Sequence, residues 1–161
     1  MNSNGTGTRS ARGIVAPMMA VISALLVLAF LLQERPEDAS QLDGVGGFVT
    51  VQIAAQALGG AICGWLFASV FGQPRVFGWM LSVIGGFFLT LLSGAVAGAL
   101  LSIPRALTSG LDLNELLRIV GGALTGILAY ADQPVVGLGW LVLILLTHVL
   151  AARQRRSPKL L

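Results

Sequence analysis

The chain has 161 residues, of which 55% are hydrophobic and only 11% charged, and its mean hydropathy is +0.85. Soluble domains carry about 25% charged residues, so this composition excludes a water-soluble monomer, and the length leaves room for one bundle and no second domain. The net charge of +3 does not mark a nucleic-acid binder: Arg153, Arg155, Arg156 and Lys159 sit in one tail directly after an apolar segment, the pattern of a cytoplasmic anchor.

Residues 1–13 are polar, rich in Gly, Ser, Thr and Asn, and read as a disordered tail. Residues 14–32 are 19 uncharged residues, about 28 Å as a helix and enough to cross a bilayer. Pro17 falls in the expected first turn, where proline is tolerated. The apolar core exceeds the 7–15 residues of a signal peptide, and no small-x-small site follows in Gln33-Glu34-Arg35-Pro36, so the segment reads as a retained span. Residues 33–47 hold Glu34, Glu37, Asp38 and Asp43 against a single Arg35. Their spacing matches no calcium loop and predicts a solvated connection.

Residues 48–71 form a second predicted span in which Gln52, Gln56, Gly60, Gly64 and Ala68 lie four apart and share one helix face. Gln73-Pro74-Arg75 makes a short turn. Residues 77–103 form a third span, with Ser82, Gly86, Thr90, Gly94 and Gly98 at the same step. Two small-residue stripes on consecutive helices predict an antiparallel hairpin packed stripe to stripe. Pro104 is expected to end the third helix. Asp112 followed by Glu115 resembles a capping box and predicts a helix from Leu113. It should run through Gly122 and Gly126 to about Ala131. Asp132-Gln133-Pro134 then breaks it, and Pro134 suits the first turn of a last helix over about 135–153.

The fold class is therefore all-α: a polytopic transmembrane bundle of four to five glycine-rich helices over residues 14–153, with a basic cytoplasmic tail at 154–161. Three Gly-x-x-x-Gly steps (Gly60 to Gly64, Gly94 to Gly98, Gly122 to Gly126) and Gly86 are the candidate helix-packing positions, because lipid-embedded helices associate where small residues let backbones approach.

Segment 113–131 leaves the number of crossings open. Its uninterrupted apolar run, Ile119 to Ala131, is only 13 residues long, which suits a re-entrant or interfacial piece. Asn114, Glu115 and Arg118 lie close to its start and could sit among headgroups, with Arg118 snorkelling. The distribution of basic residues fits both topologies. Four spans put Arg9, Arg12, Arg75 and the tail inside, while five put Arg35, Arg105, Arg118 and the tail inside. The C-terminus is cytoplasmic in each.

Gln52 and Gln56 are the strongest candidates for a polar pathway, since amides within a bilayer must find partners or line a path. Asp132 joins them as a carboxylate that could lie at membrane depth. His148 has no carboxylate nearby in sequence and reads as interfacial or bonded to a neighbouring helix. Cys63, in the middle of an apolar run, reads as a buried small residue. One cysteine and one histidine leave no metal-ligand spacing, no phosphate loop or nucleophile motif is present, and no cofactor is implied.

Over residues 59–101, Gly64-Trp65-Leu66, Phe77-Gly78-Trp79, Ile84-Gly85-Gly86 and Gly94 to Gly98 resemble the small glycine-rich membrane proteins called transglycosylase-associated. The likeness covers about a quarter of the chain and brings no functional residue with it.

Two functions are compatible with these residues. One is a non-enzymatic helix-packing subunit, either an assembly partner of a larger membrane complex or a homo-oligomer, using the glycine stripes as contact faces. The other is a small dimeric transporter or channel for an ion or small solute, with Gln52, Gln56 and Asp132 along its path. In both, the surroundings are the lipid bilayer and other membrane helices. A plasma membrane or bacterial inner membrane suits the short loops and the positive-inside bias.

Overall fold

A computed structural model describes residues 4–33, 45–110, 112–131 and 133–156. Within them the chain forms five helices: α1 Asn4–Gln33, α2 Val45–Leu66, α3 Arg75–Ser109, α4 Leu113–Ala131 and α5 Pro134–Arg156, with a short 3-10 turn at Ala68–Val70 after α2. All of α1, α2, α3 and α5 contain stretches long and apolar enough to cross a membrane, and α4 is not among them. The protein is thus a multi-pass helical membrane protein in contact with lipid.

Helix starts and stops follow the sequence except at two prolines, at the N-terminus and at the end of α2, which stops at Leu66 instead of residue 71 and passes into the 3-10 turn. The first helix begins at Asn4, so Pro17 stands inside it rather than in its first turn, and the expected polar tail is helical from residue 4. Pro104 does not end α3, which continues five residues to Ser109. Proline is tolerated within membrane helices because nearby hydroxyls and neighbouring helices satisfy the freed carbonyls. The hydroxyls of Ser102 and Thr108, on either side of Pro104, bond back to Gly98 O at 3.0 Å and Pro104 O at 3.3 Å, while the carbonyl that loses its helical donor to the proline is that of Leu100. The fourth helix starts at Leu113 as expected, with Leu113 N–H donating to Asp112 Oδ1 at 2.6 Å. Its capping box is not closed: Glu115 is buried, and its Oε2 has no hydrogen-bond partner among the described residues.

Polarity is inverted relative to a soluble bundle. Leu25, Leu28 and Leu32 of α1 and Leu113, Leu117, Val120, Leu124 and Leu128 of α4 are exposed. Ser23, Gln56, Ser82, Thr90, Ser93, Ser102, Thr125, Thr147 and His148 are buried. Lipid is as apolar as leucine, so leucine gains nothing by facing inward, whereas hydroxyls and amides must find partners there. Many of these hydroxyls bond back to the carbonyl four residues earlier, as Thr90 does to Gly86 O at 2.8 Å and Thr147 to Leu143 O at 2.7 Å.

The small-residue stripes are divided among different neighbours. Gly60 and Gly64 pack on α1: a Cβ at Gly64 would lie 2.8 Å from Val15 O and 3.0 Å from Ala16 Cα, and one at Gly60 would overlap Met19 O. Contact between α2 and α3 instead runs through Gly59, whose Cβ would overlap Ser93 O. The stripe-to-stripe hairpin expected for these two helices is therefore not formed. On α3, Gly94 and Gly98 receive α4. A Cβ at Gly98 would stand 2.7 Å from Arg118 O, and Gly94 and Gly122 meet backbone to backbone. Gly126 sits on the Thr90 methyl and Gly86 on the Ile144 side chain, each position lying 2.8 Å from its neighbour.

These pairings fix the relative directions. Successive matches of α1 with α2, α3 with α4, and α3 with α5 run in opposite senses. Arg12 lies over the Trp65 ring at 4.5 Å, and Arg155 donates to Ala68 O at 3.1 Å. The start of α1, the α2–α3 turn and the end of α5 therefore share one end of the bundle, here the basic end. Gln33, at the opposite end of α1, donates from Nε2 to Ala129 O at 3.0 Å. Both the first turns and the last turn of α4 thus meet the half of the bundle away from the basic end.

An added methyl at Gly94 should lower stability by about 1–3 kcal/mol or more, the usual cost of overpacking. The same change at Gly121, where no atom lies within 4 Å of the added carbon, should be neutral. Thermal unfolding of Gly94→Ala and Gly121→Ala in one detergent checks the contrast.

Candidate functional site

Because α4 stays in one half of the bundle, the ends of α1, α2 and α3 there enclose a cleft with it. The cleft has a volume of about 650 Å³ and is open to the outside. Its wall is mainly apolar, with Phe30, Phe48, Val51, Leu101 and Leu128, and its floor is Gly98, Gly121 and Gly122. Four polar side chains enter: Gln52 from α2, Arg105 from α3, and Arg118 and Thr125 from α4. Gln52 is half-buried, while both arginines are exposed.

A second, much smaller cavity adjoins it deeper in the bundle. Its volume of about 10 Å³ is bounded by Ser23, Leu26, Val27, Gln56, Thr90, Thr125 and Gly126, close to the space that one water needs. Gln56 is only 4% exposed. Thr125 lines both cavities, so the two glutamines, one helical turn apart, border adjoining spaces. Beyond Gln56 the track narrows. The Ser23 and Ser93 hydroxyls bond to each other at 2.7 Å, and Trp140 Nε1 donates to Thr90 Oγ1 at 3.0 Å. Leu89 and Ile144, both buried, continue toward the basic end. Asp132, the third residue expected along the path, lies outside the described residues.

At the basic end a third cavity of about 230 Å³ is bordered by Gln73, Arg75, Trp79, His148 and Arg153 among others. His148 is buried rather than interfacial. Gly72 N–H donates to His148 Nδ1 at 3.2 Å, the Ser82 hydroxyl touches the same nitrogen, and the Trp79 ring lies 4.7 Å away. Gly72 has φ +74°, and a Cβ there would lie 2.8 Å from Ala151 C. Only glycine fits a turn this tight against α5. These contacts fasten the α2–α3 turn to the last helix.

Sequence reading named Gln52 and Gln56 but not the arginines that join Gln52. Arg105 lies beyond Pro104, the expected end of the third helix, and Arg118 at the start of α4 suits a place among headgroups, so neither points to a cavity from sequence alone. Their spacing from the short 110–112 connection was the available signal. Among the described residues, no three His, Cys, Asp or Glu side chains come together in a way that could hold a metal. Cys63 is buried and unpaired.

Replacing His148 with Phe leaves the Gly72 N–H without its acceptor and should cost about 1–3 kcal/mol, the usual penalty for an unsatisfied buried donor. Gly72→Ala should cost at least as much through its backbone strain. Both are read as lowered thermal midpoints in detergent.

Comparison with protein-family models, with curated proteins and with solved structures finds no match, so the resemblance carried by residues 59–101 gains no support from it.

Proposed function

We propose that this protein is a small membrane carrier that admits its substrate at the cleft and hands it toward the middle of the bundle. One observation carries the reading: Gln52 and Gln56 border two adjoining cavities joined at Thr125, in a bundle whose other inward hydroxyls are mostly bonded to their own helices. Amides kept clear of such bonds at the mouth and the floor of a cleft suit a substrate that changes partners as it moves. The Ser23–Ser93 bond and the Leu89–Ile144 layer then act as the closed gate of a carrier, in place of the open pore of a channel.

The assembly reading draws less support. It needs the glycine stripes as contact faces between chains, and Gly60, Gly64, Gly86, Gly94, Gly98, Gly122 and Gly126 all meet helices of the same chain. A dimeric carrier remains compatible with the exposed leucine faces, and no enzymatic chemistry is proposed.

Four crossings, with α4 confined to the cleft half, place both termini on one side. Arg9, Arg12, Arg75, Arg153, Arg155 and Arg156 then lie on that side, against Arg105 and Arg118 on the other among the described residues. We take the basic end to be cytoplasmic on the positive-inside rule. A single cysteine placed at Asn4 in a Cys63→Ala background should therefore resist an impermeant thiol reagent in intact cells and react after lysis. Labelling in intact cells would reverse this assignment.

Transport is tested in proteoliposomes with two anionic probes, inorganic phosphate and a fluorescent short-chain phosphatidylglycerol. At least one should cross faster than in protein-free vesicles, and Gln56→Leu should slow it at least tenfold. Rates equal to those of protein-free vesicles for both probes, or flux unchanged in a Gln52→Leu/Gln56→Leu double variant, would remove the carrier reading.

A further inference from the structure

We infer that the cleft binds an anionic phospholipid, with its phosphate held between Arg105 and Arg118 and an acyl chain on the apolar wall. This deepens the reading of the cleft as a binding site and is independent of whether the bound molecule is then moved.

The charge argument comes first. Arginine stays ionised at any physiological pH, and its planar fork matches phosphate oxygens in pairs. Two such groups line one cavity, and neither guanidinium makes a hydrogen bond or ion pair among the described residues. The carboxylates nearest in sequence do not answer them. The Asp112 carboxylate accepts from Leu113 N–H at 2.6 Å and from Asn114 Nδ2 at 3.2 Å. Glu115 lies on the buried face of α4 and does not line the cleft. Uncompensated arginines at the margin of a bilayer are costly unless an anion or water meets them, and a phosphate headgroup supplies the anion at that depth.

The wall argues for a lipid over a free anion. Phe48, Val51 and Leu128 are 65%, 56% and 45% exposed, so the mouth of the cleft opens through apolar side chains. A hydrated phosphate gains nothing from such a wall, whereas an acyl chain is at home on it. The volume of about 650 Å³ falls within the range of about 300–1,000 Å³ typical of ligand sites. Gly121 supplies the remaining feature. It lines the cleft, and a Cβ added there would have no protein atom within 4 Å. The space in front of it is therefore free for an occupant.

Native mass spectrometry of the full chain in detergent, titrated with dioleoyl phosphatidylglycerol or dioleoyl phosphatidylcholine, tests the inference. The wild type should retain one phosphatidylglycerol at least tenfold more tightly than phosphatidylcholine. Arg105→Gln/Arg118→Gln should remove that preference, and Gly121→Leu, whose Cβ meets no protein atom within 4 Å, should weaken retention of phosphatidylglycerol at least tenfold with an unchanged thermal midpoint. Equal retention of the two lipids by the wild type would overturn the inference, as would retention insensitive to all three substitutions. Displacement by millimolar inorganic phosphate as readily as by lipid would assign the arginines to a free anion. Selective retention that emerges only after Glu34, Glu37 and Asp38 are replaced by amides would assign them to the chain's own acidic segment. Selective binding without translocation would leave this inference standing and remove the carrier reading, and translocation with arginine-independent binding would do the reverse.

Discussion

Backbone contact between α3 and α4 at Gly94, Gly98 and Gly122 is the constraint from which the rest of the architecture follows. In lipid, helices gain nothing by burying leucine, so association depends on how closely two backbones approach and on dispersion between them. Three side chains are missing at one crossing, and α4 settles there against the peptide groups of α3. Its end is then turned back to Gln33, and the space between it and the ends of α1 and α2 becomes the cleft. Bulk at the crossing would push α4 away and dissolve the cavity along with the contact.

The same physics explains the distribution of polar groups. A hydroxyl can return its proton to its own helix, and Ser82, Thr90, Ser102, Thr125 and Thr147 do so. A glutamine carries two donors and an acceptor pair, too many to discharge in that way. Gln33 reaches across to α4, and Gln52 and Gln56 reach cavities. Of these three glutamines, one makes a tertiary clasp and two border spaces that a hydroxyl bonded to its own helix would leave without a polar group.

Much of this was legible in the residues. Apolar runs and turn signals located all five helices. Asp112 and Pro134 marked the starts of the last two, because a cap and a first-turn proline are local chemistry. Signals that depend on neighbours were misread. Pro17 and Pro104 stand inside α1 and α3, since membrane helices tolerate a proline that would end a soluble one. The Gly60–Gly64 face was assigned to α3 because consecutive helices were expected to pair, yet a four-residue step shows only that a face is small and not which helix lies against it. Gln52 and Gln56 stood out as amides in an apolar run. Arg105 and Arg118 did not, since each is an ordinary helix-end residue until the fold brings the two to one cavity.

The clasp at the basic end bears on how such a chain is made. Gly72 N–H finds its acceptor on His148, and Arg155 adds a second donor to the Ala68 and Ser69 carbonyls, each already bonded within the turn; both side chains lie more than seventy residues downstream. When α2 and α3 enter the bilayer, those ligands have not yet been synthesised. The turn must wait, hydrated at the membrane surface, until the last helix is inserted and its end folds over it. Biogenesis is thereby given a checkpoint: a chain that ends early holds its helices in the membrane but leaves this corner unlocked, and that open corner distinguishes an unfinished molecule from a finished one.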